Sequence, residues 1–253
     1  MRALHPAAVE VRALRSRTRS GRSGQDGALR GLDLSVPVGA RLLLVSRPEG
    51  AASLLLRILA GVSRPAAGTI SLAGMTRSDD SAMGWARRVA HVAGRPALYE
   101  WLSPTEALML ACRLAGLPAD DRRHRMDELI EHFRLGPDAS RPIGRGGPAV
   151  GQKVALAAAL LTEPEVLLLD EPLRALDPQE RRRLLNLKDR RTTMLLASRY
   201  PASEEGLVNQ VALIRDGRLA LHARIEELAA RSLPLSTRGI EALADQPAEA
   251  EVR

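Results

Sequence analysis

Residues 165 to 178 read Glu-Val-Leu-Leu-Leu-Asp-Glu-Pro-Leu-Arg-Ala-Leu-Asp-Pro. Val166 to Leu169 form an uninterrupted apolar run, the pattern of a strand buried on both faces of a parallel sheet. The run ends in Asp170 and Glu171. Two carboxylates at the carboxyl end of such a strand stand where open α/β sheets bind ligands. The first is placed to hold magnesium through water, and the second to orient a water for attack on a phosphate.

Working outward, the segments on either side predict more strands. Val9 to Leu14 alternates apolar with polar or small residues and predicts an edge strand; Arg15 to Gly27, rich in Arg, Ser and Gly, predicts a loop. Leu32 to Val38 alternates again. Arg41 to Ser46 predicts a buried strand leading through a loop into a helix over Ala52 to Ala60, closed by Gly61. Gly68 to Gly74 and Val89 to Ala93 predict two further strands. From Gly94 to Gly147 the pattern turns helical. Ser103-Pro104-Thr105-Glu106 is a helix start, with Ser as cap, Pro in the first turn and Glu closing a capping box. Asp121 to Phe133 predicts an amphipathic helix with Met126, Leu129, Ile130 and Phe133 on one side. Val150 to Leu161, small and apolar, predicts a buried helix. Thr193 to Ala197 and Gln210 to Ile214 are strand candidates, Asp216-Gly217 a turn, and the stretch beyond Arg224 helical and polar.

Composition sets bounds on function. Aromatics make up 2% of the 253 residues, so the core rests on Leu, Ala, Val and Ile. No apolar run approaches the roughly 18 residues of a membrane span, and Met1 to Arg22 lacks the apolar stretch of a signal peptide, so a cytoplasmic protein is expected. Cys112 is the single cysteine, which excludes an internal disulfide and a cysteine metal cluster. The net charge of +7 is almost all arginine, Lys153 and Lys188 being the only lysines. No reader motif or aromatic-interleaved basic strand accompanies it, so no specific nucleic acid is expected as partner. A basic face toward anionic lipid headgroups suits this charge at least as well.

The Asp170-Glu171 strand end followed by Ala175-Leu176-Asp177-Pro178 resembles the Walker B and D-loop of ABC transporter ATPases. Arg57-Ile58-Leu59-Ala60-Gly61 and Asp216-Gly217-Arg218-Leu219 are similar to that family's text as well, and motif order agrees from Val9 to Leu221. The resemblance implies a P-loop NTPase-like α/β core with a mainly parallel sheet, an antiparallel β subdomain and an inserted helical subdomain. The core would comprise residues 1–93 and 148–225, the helical subdomain 94–147, and a helical, polar tail 226–253. It further implies ATP and Mg2+ as cofactors, a membrane-spanning transporter subunit and a second ABC ATPase subunit as partners, and a place at the inner face of the cell membrane.

The family's nucleotide contacts map onto this chain with many substitutions. Its phosphate loop corresponds to residues 46–54, which include Gly50; there Ser46, Glu49 and Ala51 replace glycines, Ala52 replaces the lysine, and only Ser53 keeps the family's residue type. Ser53 and Asp170 would be the magnesium ligands, and Glu171 the remnant general base. The adenine-stacking aromatic corresponds to Thr18, the glutamine that senses the γ-phosphate to Gly94, and the switch histidine to Arg199. Gly146 and Gly147 take the place of the signature loop. There Gly147 has no hydroxyl and Pro148 no N–H, although a two-residue slip would bring Gly146-Gly147 into register with the family glycines. Asp177, in the D-loop, would contact the partner ATPase subunit.

Losing the lysine's charge-assisted bond costs roughly 1.5 to 3 kcal/mol. With obstructed backbone contacts a total of about 4 to 6 kcal/mol weakens ATP binding roughly 10³ to 10⁴-fold. A pseudo-ATPase with a structural or regulatory role is therefore expected. The alternatives are an active ATPase in which Arg47 or Arg199 replaces the lysine across a loop stiffened by Pro48, and a soluble interaction or nucleic-acid-associated protein that kept only the fold.

Overall fold

The computed structural model describes residues 7–16, 28–47, 49–78, 82–186 and 192–246. The predictions for most of Arg15 to Gly27, including Thr18, and for Pro48 and Lys188 fall outside these residues. In chain order the strands are β1 (Ala7–Arg15), β2 (Arg30–Pro37), β3 (Arg41–Arg47), β4 (Ala67–Leu72), β5 (Met75–Thr76), β6 (Val89–Val92), β7 (Val166–Asp170), β8 (Thr193–Ala197), β9 (Gln210–Arg215) and β10 (Arg218–Arg224). The helices are α1 (Ala51–Leu59), α2 (Ala82–Arg88), α3 (Pro104–Leu114), α4 (Ala119–His132), α5 (Gly147–Leu160), α6 (Pro178–Leu185), α7 (Ile225–Ala230) and α8 (Thr237–Ala244).

Two sheets organise the molecule. A six-stranded sheet has the order β10-β9-β3-β8-β7-β6, all neighbours parallel except the β9–β10 hairpin. A four-stranded antiparallel sheet has the order β2-β1-β4-β5. The fold is thus α/β with a mainly parallel sheet beside an antiparallel one, as the family resemblance implies. Burial on both faces explains the apolar runs. Along β3, Leu43 and Val45 enter the core shared with α3, α4 and α5, while Leu42 and Leu44 enter the core shared with α1 and the antiparallel sheet. On β7, Leu167 and Leu169 divide from Val166 and Leu168 in the same way. Each fully buried leucine contributes about 1.5 to 3 kcal/mol.

Several expectations need correction. β1 is not an edge strand, because it pairs with β2 on one side and β4 on the other. Its alternation marks one-sided burial, which an inner antiparallel strand shows equally. The buried helix begins at Gly147 rather than Val150, since Pro148 fits a first helical turn, where its missing N–H has no helical partner. The segment beyond Arg224 is not simply polar: α8 buries Ile240 and Leu243 against β9 and β10. The short helices α2 and α6 and the strand β10 carried too few periods to be read from sequence.

The capping box at Ser103 is present as predicted. The Ser103 hydroxyl accepts from the Glu106 N–H, and the Ser103 N–H donates to Glu106 Oε2 at 2.8 Å. Met126 and Phe133 of the following helical segment are buried, again as expected. At the β9–β10 turn, Asp216 and Gly217 both have positive φ, and a Cβ on Gly217 would collide with the carbonyl of Ala28. Only glycine fits that position.

Candidate functional site

The order β3-β8-β7 places three loop starts side by side at the carboxyl edge of the parallel sheet. Between them and the start of α5 lies a cavity of about 1200 Å³. Ser46, Gly50, Ala52 and Ser53 line it from the β3–α1 loop, Asp170 and Glu171 from the end of β7, and Arg199 from the end of β8. Gly94, after β6, and Gly147, at the start of α5, complete the wall. Gly146 and Asp177 are not part of the cavity lining.

The loop after β3 turns through Gly50, whose φ of 99° needs a residue without Cβ. No side chain caps α1 from that position. Instead the Ser46 hydroxyl accepts from the Ala52 N–H at 3.3 Å, occupying a backbone donor at the start of the helix. Ala52 itself is buried. At the next residue the Ser53 hydroxyl donates to Asp170 Oδ1 at 2.7 Å, so the hydroxyl and carboxylate expected at magnesium are adjacent.

Glu171 has a different environment. Its φ of 48° lies in the left-handed region, a strain of about 1 kcal/mol for a residue with a side chain. This turn directs the carboxylate at Arg199, whose backbone N–H and Nε both donate to Glu171 Oε1, at 2.9 and 3.1 Å. Arg174 Nε lies 3.6 Å from the other carboxylate oxygen. Arg199 also reaches Glu49 Oε2 at 3.8 Å. The hydrogen bond and charge of Glu171, with a smaller contribution from Glu49, push the Arg199 pKa up, so the guanidinium stays charged.

Gly94 packs tightly behind the two acids, and a Cβ there would stand 3.1 Å from the Asp170 carbonyl oxygen and 3.3 Å from Glu171 Cβ. Its own carbonyl accepts from Gln152 Nε2 at 3.3 Å, while Gln152 Oε1 accepts from the Ala175 N–H at 3.1 Å. Gln152 therefore ties the segment after β6 to the segment before α6. Gly146 is in close contact with Val150, since a Cβ would approach its side chain to 2.6 Å, whereas one on Gly147 would meet open space. Asp177 caps α6, its carboxylate accepting from the Gln179 and Glu180 N–H groups at 3.0 and 2.9 Å. Lys153 pairs with Glu180 at 2.7 Å.

Four participants escaped the sequence reading. Arg174 stands three residues after Glu171, a spacing that signals the contact once Glu171 is singled out. Gln152 lies inside the helix pattern from Val150 to Leu161, where nothing singles it out. Thr237 of α8 also reaches the cavity, and nothing in its surroundings in sequence marks it. His91 lines the cavity as well; opposite Leu168 in the β6–β7 register, it shares a face with Asp170 two residues on. Burial pushes its pKa down, against the opposing charge of Asp170, and its Nε2 is buried without a partner among the described residues.

Comparison with known proteins decides the family. The family profile described as ABC transporter matches residues 29–174, more than half of the chain. The chain belongs to the ABC transporter family. Its sequence is 34% identical to the daunorubicin resistance ATP-binding protein DrrA3 of Streptomyces coeruleorubidus over 216 residues, 83% of this chain and 68% of that one. It is 40% identical to the nickel import ATP-binding protein NikO of Rhodobacter capsulatus over 159 residues, 60% of this chain and 63% of that one. The chain spans 61 to 63% of the length of several such curated relatives. Among solved structures, the ATP-binding subunit of an ABC transporter superimposes with a TM-score of 0.79 at 23% identity, covering 94% of this chain and 100% of that chain. The fold is that of an ABC nucleotide-binding domain.

ATP with magnesium is the ligand of this family. Ser53 and Asp170 are close enough to share a magnesium ion. The residues around them do not fit a triphosphate: Ala52 offers no ammonium, Ser46 engages a backbone donor, and Glu49 adds a carboxylate where phosphates would need positive charge. Lys153 does not line the cavity and is engaged with Glu180, and the cations that do line it are arginines.

Proposed function

We propose that this chain is a pseudo-ATPase subunit of an ABC transporter, docking at the inner face of the cell membrane on a membrane-spanning subunit and pairing with a second ATPase chain. The observation that carries this reading is the buried Ala52 beside an intact Ser53–Asp170 pair. The hydroxyl and carboxylate that would hold magnesium stand side by side, while the position that would bind the terminal phosphates offers no cation.

A structural or regulatory role suits the rest of the molecule. Tyr99 and Trp101 are exposed just before α3, their ring centroids 5.0 Å apart, a large apolar surface for a partner. Among the described residues no helix is long and apolar enough to cross a membrane. The D-loop segment around Asp177 would face the second ATPase chain, with Gln152 linking it to the segment that leads to Tyr99 and Trp101.

The test is direct measurement of Mg-ATP affinity and turnover on purified protein. Dissociation constants of about 1 mM or weaker, with no turnover above background, are expected from the lost contacts. Turnover that Glu171→Gln abolishes would overturn the proposal. The second reading, an ATPase in which arginine replaces lysine, draws on Arg47 and Arg199, which both line the cavity. Micromolar binding of Mg-ATP, lost in Arg47→Gln or Arg199→Gln, would favour it.

A further inference from the structure

β8 lies between β3 and β7 in the sheet, so the segment that follows it stands between the β3–α1 loop and the end of the acidic strand. Arg199, two residues past Ala197, belongs to that segment. It holds Glu171 through its Nε and its own backbone N–H, at 3.1 and 2.9 Å, and extends toward Glu49 at 3.8 Å. Arg174 closes the far side of Glu171 at 3.6 Å and stacks over the Tyr200 ring at 5.0 Å. Two carboxylates and two guanidiniums of the cavity lining thus form a chain of alternating charge, the four groups together neutral.

We infer that Arg199 is an internal salt-bridge lock: a tethered cation that occupies Glu171 and gives the site its own counter-charges, so that the resting form excludes polyphosphates and needs no nucleotide. This rests on the pseudo-ATPase reading and deepens it by naming the residues that determine the exclusion. The inner part of the lock dominates. Glu171 is 15% exposed and receives two hydrogen bonds, whereas the pair with Glu49 is more than half exposed on both sides and screened by salt. An entering polyphosphate must detach Arg199 from Glu171 to gain its charge, and must leave Glu171 close to its own negative oxygens. Arg199 is accordingly a positioning and specificity residue.

A double-mutant cycle with magnesium and inorganic tripolyphosphate as probe tests this, the absence of a base removing any contribution from adenine. Full-length unaltered protein, Glu171→Gln, Arg199→Gln and the double variant are titrated by calorimetry or NMR. With Arg199 present, Glu171→Gln frees the guanidinium and is expected to tighten binding about tenfold or more; in the Arg199→Gln background the gain is expected to fall below about threefold. Equal gains in the two backgrounds would show simple charge removal and overturn the lock, as would no gain in either. A second measurement reads the lock without ligand. Amide exchange of Arg199, whose N–H donates to Glu171, is expected to accelerate about tenfold or more in Glu171→Ala; unchanged exchange would also overturn it. The failures separate cleanly. Micromolar Mg-ATP binding with turnover by the unaltered chain defeats the pseudo-ATPase reading, whereas equal gains in the cycle defeat the lock alone.

Discussion

The ends of β3 and β7 are built alike and equipped differently. Both strands are buried on both faces, both split their leucines between the same two cores, and both open onto the same cavity. Yet β7 ends in the carboxylates Asp170 and Glu171, whereas β3 leads into a loop that carries Ser46, Glu49 and Ala52 and offers no lysine. A scaffold held by many apolar contacts tolerates changes in the few polar residues at its rim, because those residues contribute little to the core.

The largest effects should come from the shared scaffold. Leu168→Ala and Leu43→Ala, each removing a fully buried side chain, are expected to destabilise the fold by about 2 to 5 kcal/mol in urea unfolding. Similar losses would confirm the two strands as structural equals, and a near-neutral result at Leu43 would break the comparison. Next comes the chemistry of the β3 loop. Ala52→Lys should raise Mg-ATP affinity roughly 10- to 100-fold, the value of about 1.5 to 3 kcal/mol for one charge-assisted hydrogen bond. Calorimetry on variant protein whose circular dichroism matches the parent would check it.

The helix starts offer a smaller contrast. Asp177 caps α6 with two hydrogen bonds, whereas α1 starts at Gly50 with no side-chain cap, so Asp177→Ala should cost about 0.5 to 2 kcal/mol of stability. A loss of partner binding well beyond that cost would add an interface role to the cap. The smallest effect is one of pH. Burial depresses the folded-state pKa of His91 below its ordinary 6.5, so the unfolded chain binds the proton more readily. This residue's contribution is fully present above pH 6.5 and is lost progressively as the pH falls toward the depressed folded value. Comparing urea unfolding at pH 7.5 and 5.5 should show a smaller acid loss in His91→Gln than in the parent. His222, also depressed by burial, contributes to both proteins and cancels in that difference.

Most of the scaffold was legible in the sequence because its signals are collective. The apolar runs at 42–45 and 166–169, the capping box at Ser103 and the turn at Asp216-Gly217 each rest on several residues that agree. β1 misled because alternation reports burial of one face and says nothing of neighbours on both sides. At the site, the positions of Asp170, Glu171, Ser53 and Arg199 around one cavity follow from motif order. Their pairing does not: whether Arg199 points to solvent or to Glu171 depends on a strand order in which β8 enters between β3 and β7. Gln152 stayed hidden for a similar reason, since its two partners lie 58 and 23 residues away.

Gly94 carries a consequence for the engineering of this chain. Any side chain placed there brings its Cβ to 3.1 Å from the carbonyl of Asp170, so the strand end must yield by a few tenths of an ångström first. Gly94→Gln would meet that obstacle first, whatever its amide could then reach. A side chain at this position is accommodated only if the turn after β7 shifts with it, so grafting one there calls for a compensating change in that turn.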